Sequence, residues 1–268
     1  MEKVELKEYY RLTEKPRQVF VKYLLDLKMA EALAVAGGKV EKAQKIRRWF
    51  VKLEQLLRRI FENHALRLDF DEDTFRFFIC EEGKGAFDFN SLSSGYAAVL
   101  DIVIDVILRM EKQTDKNFQF DLPGIVLIDE IETHLHLELQ KKILDLLTTI
   151  FPRIQWVVST HSPFILNSLE DVVIYDLEKH LLVEHGLADV PYSGIVEGYF
   201  GVDGMSALLR EKYEQYRNLV QKPTLLDEDL AEIARLEMFL DEIPDYLALD
   251  IATEYKSLKL ELENREDL

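Results

Sequence analysis

Two short apolar runs, Gly124 to Asp129 and Gln155 to Ser159, are separated by a helical pattern rather than by a turn signal. Strands joined through a helix run parallel, and parallel strands need helices packed over them, so this spacing commits the chain to an α/β architecture. A third run, Asp171 to Tyr175, continues the rhythm and is expected to extend the same sheet, with Leu181 to Val183 as an edge strand. At 268 residues and 48% apolar content the chain can bury a sizeable core, as one large domain or two small ones.

Upstream of these runs the period changes. Val19, Phe20, Tyr23, Leu24 and Leu27 follow Pro16 at helical spacing, and Gly37-Gly38 then interrupts. Ile46, Trp49, Phe50, Leu53, Leu56, Leu57, Ile60 and Phe61 form one apolar stripe of a second helix, so the two predict a helical hairpin. Ala65 to Phe70 and Thr74 to Ile79 alternate about the acidic turn Asp71-Glu72-Asp73 and predict a β-hairpin, followed by a Gly83-Lys84-Gly85 turn. Val99, Leu100, Val103, Ile104, Ile107 and Leu108 predict an amphipathic helix that starts near Ser93 to Gly95 and shows Asp101 and Asp105 on its other face. From Gly204 onward the pattern is helical, punctuated by Pro223 and Pro244; Asp227-Glu228-Asp229 reads as the start of a helix, where acids are favoured by its dipole.

Charge narrows the partners. A formal net charge of -17 repels phosphates from the surface as a whole. The stretch Lys39 to Arg59 is the local exception, with Lys39, Lys42, Lys45, Arg47, Arg48, Lys52, Arg58 and Arg59 against Glu41 and Glu54. A solvated outer helix face and a contact to DNA or RNA both fit it. No apolar run is long enough to span a bilayer, the N-terminus lacks a signal-peptide core, and Cys80 is the single cysteine, so a cytoplasmic protein with no membrane partner is expected.

The chemistry-bearing residues sit at the ends of these elements. Ile125 to Ile128 ends abruptly in Asp129-Glu130, the form of a Walker B strand, which anchors two acids rigidly at the crevice where α/β sheets bind ligands. Trp156 to Val158 leads into Ser159-Thr160-His161-Ser162, a strand ending in a polar turn with a histidine. Asn90-Ser91-Leu92-Ser93-Ser94-Gly95-Tyr96 precedes the amphipathic helix; hydroxyls, a glycine and free amides at a helix N-terminus suit an anion, although a serine there also serves as an ordinary N-cap.

In this order, Phe87 to about Ser168 resembles the second half of an ABC-type ATPase domain of the RecF, SMC and OLD clan. The segment from Val19 to Ile79 is similar to the arm and hairpin that precede the signature in compact members, including ATPases of bacterial anti-phage systems such as Septu and some retrons. The resemblance implies ATP and Mg²⁺ as cofactors. It gives Asp129 the metal, through water, Glu130 the attacking water and His161 the γ-phosphate; Ser93, Ser94 and Gly95 would meet nucleotide in trans, and Glu132 and His134 would line the interface as a D-loop. The expected organisation is a helical arm over 1–64, an ABC ATPase lobe over 65–200, a partial P-loop parallel sheet flanked by helices, and a helical region over 201–268. The implied action is a nucleotide-dependent dimer that relays closure to a nuclease effector, DNA or RNA.

Three departures matter. Neither Gly38-Lys39 nor Gly83-Lys84 lies in a Walker A sequence, so the phosphate-binding lysine must come from another segment or chain, and the sheet is expected to show a gap with exposed apolar side chains. The chain alone is then expected to hydrolyse little ATP. Ser94, Tyr96 and Ile131 also stand where the clan's motifs more often carry Gly, Gln or Glu, and Pro. Two other classes compete: a catalytically inactive scaffold, and a metal-dependent hydrolase using Asp129, Glu130, Glu132, His134, His136 and His161.

Overall fold

The computed structural model describes residues 4–7, 10, 14–83, 85–114, 121–201, 206–242 and 249–265. Three of the sequence features above, Lys84, Gly204 and Pro244, lie outside them. The chain divides into two compact units, residues 1–192 and 193–268.

The first unit begins with two antiparallel helices, α1 (Pro16–Ala36) and α2 (Val40–Ile60). Pro16 opens α1, where its missing amide costs nothing. Gly38 closes it in the left-handed region at φ 67°, and the amides of Lys39 and Gly38 donate to Ala34 and Val35 at 2.8 and 3.1 Å. That is a Schellman turn, and it needs a residue without Cβ at position 38. Helix α2 buries Ile46, Trp49, Leu53, Leu56, Leu57 and Ile60 along one face. Trp49 meets Tyr23 edge-on at 5.7 Å, and Phe20 meets Phe89 edge-on at 6.1 Å, so the hairpin is fixed by oriented rings as well as by area.

Three antiparallel strands follow: β1 (Arg67–Asp71), β2 (Arg76–Glu81) and β3 (Gly85–Phe87). The hairpin is the expected one, shifted by two residues because Asp71 both ends β1 and makes the turn, accepting the amides of Asp73 and Thr74. Strand β3 occupies the end of the stretch read as a glycine turn.

Helix α3 (Ser94–Gln113) is buried through Val99, Leu100, Val103, Ile104, Ile107 and Leu108. It shares one apolar core with α1, α2 and the elements that follow. Asp101 pairs with Arg17 of α1 at 2.6 Å, and Asp105 with Arg109 at 2.7 Å. The buried Glu111 accepts the Tyr23 hydroxyl at 2.6 Å.

The parallel pair is β4 (Gly124–Ile128) and β5 (Ile154–Val158), in register from Gly124 opposite Ile154 to Ile128 opposite Val158. Its crossover contains α4 (Leu137–Gln140) and α5 (Ile143–Ile150), and α6 (Pro163–Leu166) follows β5. Val126, Ile128, Ile154, Trp156 and Val158 face the core. The opposite face is bare: Ile125, Leu127 and Val157 are 65, 75 and 47% exposed.

The third run does not extend this sheet. Only Ile174–Tyr175 is a strand, β6, and it pairs antiparallel with β7 (Leu182–Val183) as a separate hairpin. Its turn is fixed by Asp176, whose carboxylate accepts the amides of Glu178 and Lys179 at 2.8 and 2.7 Å. A local turn of that kind returns the chain on itself, so the run finds its partner in its neighbour and not in β5.

A short turn, α7 (Tyr192–Gly194), runs into a π-helical turn over Ile195–Tyr199 at the boundary of the units. Among its described residues the second unit then forms α8 (Ala207–Val220), α9 (Asp227–Asp241) and α10 (Leu249–Glu263). Their core contains Tyr213, Tyr216, Ile233, Leu236, Leu240 and Tyr255. Each phenol donates to an acid: Tyr213 to Glu254 at 2.6 Å, Tyr216 to Glu237 at 2.9 Å, and Tyr255 to Asp241 at 2.8 Å. Asp227 to Asp229 form the first turn of α9, and Asp229 accepts the Leu226 amide at 3.1 Å. These acids cap a helix.

Candidate functional site

The register of β4 and β5 puts Asp129 and Ser159 side by side, one residue beyond the ends of the strands. Ser159 then ties the two ends together. Its amide donates to Ile128 O at 2.9 Å, its carbonyl accepts from Ile131 N at 3.2 Å, its hydroxyl accepts from Glu130 N at 2.8 Å, and the same hydroxyl donates to the Asp129 carboxylate. Ser159 was legible only as the last residue of a strand. Its role follows from the parallel register, which a one-dimensional pattern does not carry.

Glu130 sits in the left-handed region at φ 49°, a conformation that costs a non-glycine residue about 1–3 kcal/mol and persists only where its surroundings impose it. The Ser159 hydroxyl is part of that imposition. Asp129, Glu130 and His161 are all exposed at this end of the sheet.

Glu132 connects the acids to the histidine turn. One carboxylate oxygen accepts the His161 amide at 2.7 Å, and the other is buried without a hydrogen-bond partner. Glu132 is thus drawn toward its own chain. His134 is exposed, left-handed at φ 69°, and His136 precedes α4. Ser162 caps α6 and donates to Gln140 at 2.7 Å, while Gln140 donates to Leu135 O at 2.8 Å. Polar links therefore run from Asp129 through Ser159, and from Glu132 to His161, with no gap between the two strand ends.

The serine-rich segment behaves differently from an ordinary cap. Ser93 occupies the N-cap position of α3 in an extended conformation, yet its side chain accepts no capping hydrogen bond. Ser93 and Ser94 are exposed, and the start of a 20-residue helix carries the positive end of its dipole. Gly95 is buried: a Cβ there would meet Leu139 Cδ1 at 2.9 Å, His136 Cδ2 at 3.4 Å and His134 O at 3.5 Å. Sequence reasoning gave this glycine to nucleotide, whereas its immediate neighbour is the segment after the acids. Tyr96 stacks on Phe61 at 4.7 Å and meets the His136 ring edge-on at 6.3 Å.

Upstream, Asp88 braces the segment by accepting the amides of Asn90 and Ser91 at 2.9 and 3.0 Å, and it pairs with Arg76. Burial alone would raise its carboxyl, but the Asn90 amide, the Ser91 hydroxyl and the Arg76 guanidinium together hold it below the usual carboxylate range.

Residues 11–167 match the family model described as "AAA domain, putative AbiEii toxin, Type IV TA system". The chain belongs to this AAA-domain family. The match spans α1 to α6 and includes every site residue named above. Among curated relatives, Septu protein PtuA of Bacillus mycoides (strain KBAB4) is 30% identical over 155 residues, covering 54% of this chain and 21% of that protein. The Retron Ec83 probable ATPase of Escherichia coli is 30% identical over 184 residues, 65% of this chain and 32% of that protein. The Retron Vc95 probable ATPase of Vibrio cholerae serotype O1 biovar El Tor is 39% identical over 83 residues, 30% of this chain and 16% of that protein. This AAA-domain chain thus spans a third or less of these relatives. A solved SMC head bound to the C-winged helix domain of ScpA superposes with a TM-score of 0.37 at 16% identity, over 63% of this chain and 50% of that one, too loosely to add weight.

Among the described residues, no group of three or more His, Cys, Asp and Glu side chains is placed to hold a metal ion. The residues the hydrolase reading needs are spread along the strand ends and the loop to α4, with His134 in a turn and His136 extended at the N-cap of α4. No helix among the described residues is long and apolar enough to cross a membrane.

Proposed function

We propose that this AAA-domain chain supplies the signature, Walker B, D-loop and H-loop portions of an ATP-hydrolysing site shared between protomers, acting as a nucleotide-dependent switch in anti-phage defence. The observation that carries this reading is the clamp at the strand ends. Ser159 holds Asp129 and Glu130, and Glu132 holds His161, so the two acids and the histidine belong to one rigid edge.

The donor set fits Mg²⁺ and a triphosphate. Glu132 keeps one buried oxygen without a hydrogen-bond partner, an acceptor still open to a donor, and exposed carboxylates face a hard cation better than a nitrogen-rich cluster would. When bound, Mg²⁺ would supply charge neutralisation on the phosphates. The chain's own residues do the rest: Asp129 orients the hydrated cation, Glu130 accepts a proton from the attacking water, and His161 hydrogen-bonds the γ-phosphate. Exposed Ser93 and Ser94, with the amides at the start of α3, face the phosphates held by a second protomer. Gly95 lets that helix start sit against the D-loop, where the exposed His134 lines the protomer interface while Glu132 holds the His161 turn from within its own chain.

A segment carrying a phosphate-binding loop is needed, and the bare face of β4 and β5 is where it would dock. Ile125, Leu127 and Val157 together expose an apolar surface that a free parallel ladder would not retain without a cover. The longer relatives leave ample chain for such a segment. A nuclease effector, DNA or RNA would then respond to closure.

The test is sedimentation and ATP turnover of this chain complemented by a segment with a phosphate-binding loop. Glu130→Gln is expected to abolish turnover and accumulate an ATP-dependent dimer, whereas the uncomplemented chain turns over little. Equal turnover in both variants, or association indifferent to ATP, would overturn the proposal.

A further inference from the structure

Helix α2 carries a line of cations that neither the core nor the nucleotide site uses. Lys45, Arg48, Lys52, Gln55 and Arg59 recur at intervals of three and four residues and are all exposed. That spacing places them on one face, spanning about 21 Å along the helix. Among the described residues no acid pairs with the side chains of Lys45, Arg48 or Arg59. Arg47 and Arg58, off this line, are neutralised by Glu31 and Glu54.

Helix stability does not explain the line. Lys39 stands at the N-cap, Lys42 follows within the first turn, and Lys45 begins the second, at the end of the helix whose dipole repels cations. Of the exposed line only Arg59, which shares the last turn with the paired Arg58, gains from the dipole. The dipole thus gives Arg48 and Lys52, in the middle of the helix, no reason to be basic.

The chemistry also selects among partners. Anionic membranes are bound by basic helices whose apolar face is free to insert, and here Trp49, Leu53, Leu56, Leu57 and Ile60 are locked in the core. Protein interfaces centre on apolar or aromatic anchors, and the line from Lys45 to Arg59 contains none. Lysine, arginine and glutamine side chains in a row are the groups that contact phosphodiester oxygens. We propose that the solvent face of α2 binds the sugar-phosphate backbone of a nucleic acid, without reading its bases, through Lys45, Arg48, Lys52 and Arg59 with Gln55 as a neutral donor. The proposal stands apart from the ATPase reading, because it requires no nucleotide.

The test is fluorescence anisotropy of short labelled oligonucleotides, as DNA duplex, single-stranded DNA and RNA, with this chain in the absence of ATP. Four phosphate contacts predict a slope of log affinity against log salt of about -3.6 on duplex and about -2.8 on single strands. Each of Lys45→Gln, Arg48→Gln and Arg59→Gln should reduce the slope by roughly 0.9 on duplex, and the triple variant should lose more than about tenfold in affinity at low salt. Neutralising Lys22 of α1 and Arg153 beside β5, which lie off the face, should leave both quantities unchanged. Circular dichroism on each single variant separates lost binding from lost fold. No binding to any of the three oligonucleotides, equal loss in the off-face variant, or equally tight binding of polyglutamate would overturn the proposal.

Discussion

Gly95→Ala tests whether the start of α3 and the segment after the acids are one packed piece. A methyl at position 95 would lie 2.9 Å from Leu139 Cδ1, closer than carbon atoms approach without displacement, while His136 and the backbone of residue 134 block escape on the other sides. Overpacking of this kind costs about 1–3 kcal/mol. Replacing a helical glycine by alanine returns about 0.5–1 kcal/mol through propensity, so the net loss should be about 1 kcal/mol. Leu139→Ala alone should cost about 2–5 kcal/mol, since Leu139 is 7% exposed and its removal leaves a cavity. In the double variant the new methyl enters that cavity, so the combined loss should fall short of the sum by about 1 kcal/mol. Urea unfolding of the four proteins measures this directly. Strict additivity, or a Gly95→Ala protein as stable as its parent, would refute the reasoning that Gly95 is kept small by Leu139.

Three further outcomes are expected. Ser159→Ala removes the acceptor of the Glu130 amide and should lower stability by about 1 kcal/mol, with faster hydrogen exchange at that amide; unchanged exchange would show that the clamp does not hold the acids. Leu127→Lys should leave the urea midpoint within about 0.5 kcal/mol of the parent, because the residue is exposed, yet weaken capture of the complementing segment. Tyr213 is pushed up to about 12 from 10.0, by burial and then by its bond to Glu254. A raised pKa in the folded state stabilises below the unfolded value and is lost as pH rises through the folded one. The α8–α10 unit should therefore weaken between about pH 10 and 12, followed by tyrosinate absorbance, and Tyr213→Phe should flatten that loss.

The parts of the fold that were legible depended on period. Val99 to Leu108 and Ile46 to Ile60 repeat over several turns, and Ile125 to Ile128 and Trp156 to Val158 are apolar runs bounded by polar ends, so burial alone locates them. The run ending at Tyr175 is apolar like β4, but its partner was decided by the turn that begins at Asp176. The positions of Asp129, Glu130 and His161 just past the ends of β4 and β5 were legible because each follows an apolar strand. Ser159 and the Glu132 contact to the His161 amide were not, because both depend on which residues stand opposite one another in the parallel ladder. Phe61 looked like the last member of an apolar stripe, and its stacking on Tyr96 depends on how α2 ends beside α3.

The backbone at Glu130 has a consequence for how this position can vary. A glycine would adopt φ 49° without penalty, so Glu130→Gly should relax the loop locally even as it deletes the carboxylate. Conformational comfort and chemical use thus pull this position in opposite directions, and screening for thermal robustness alone would select the variant that discards the carboxylate.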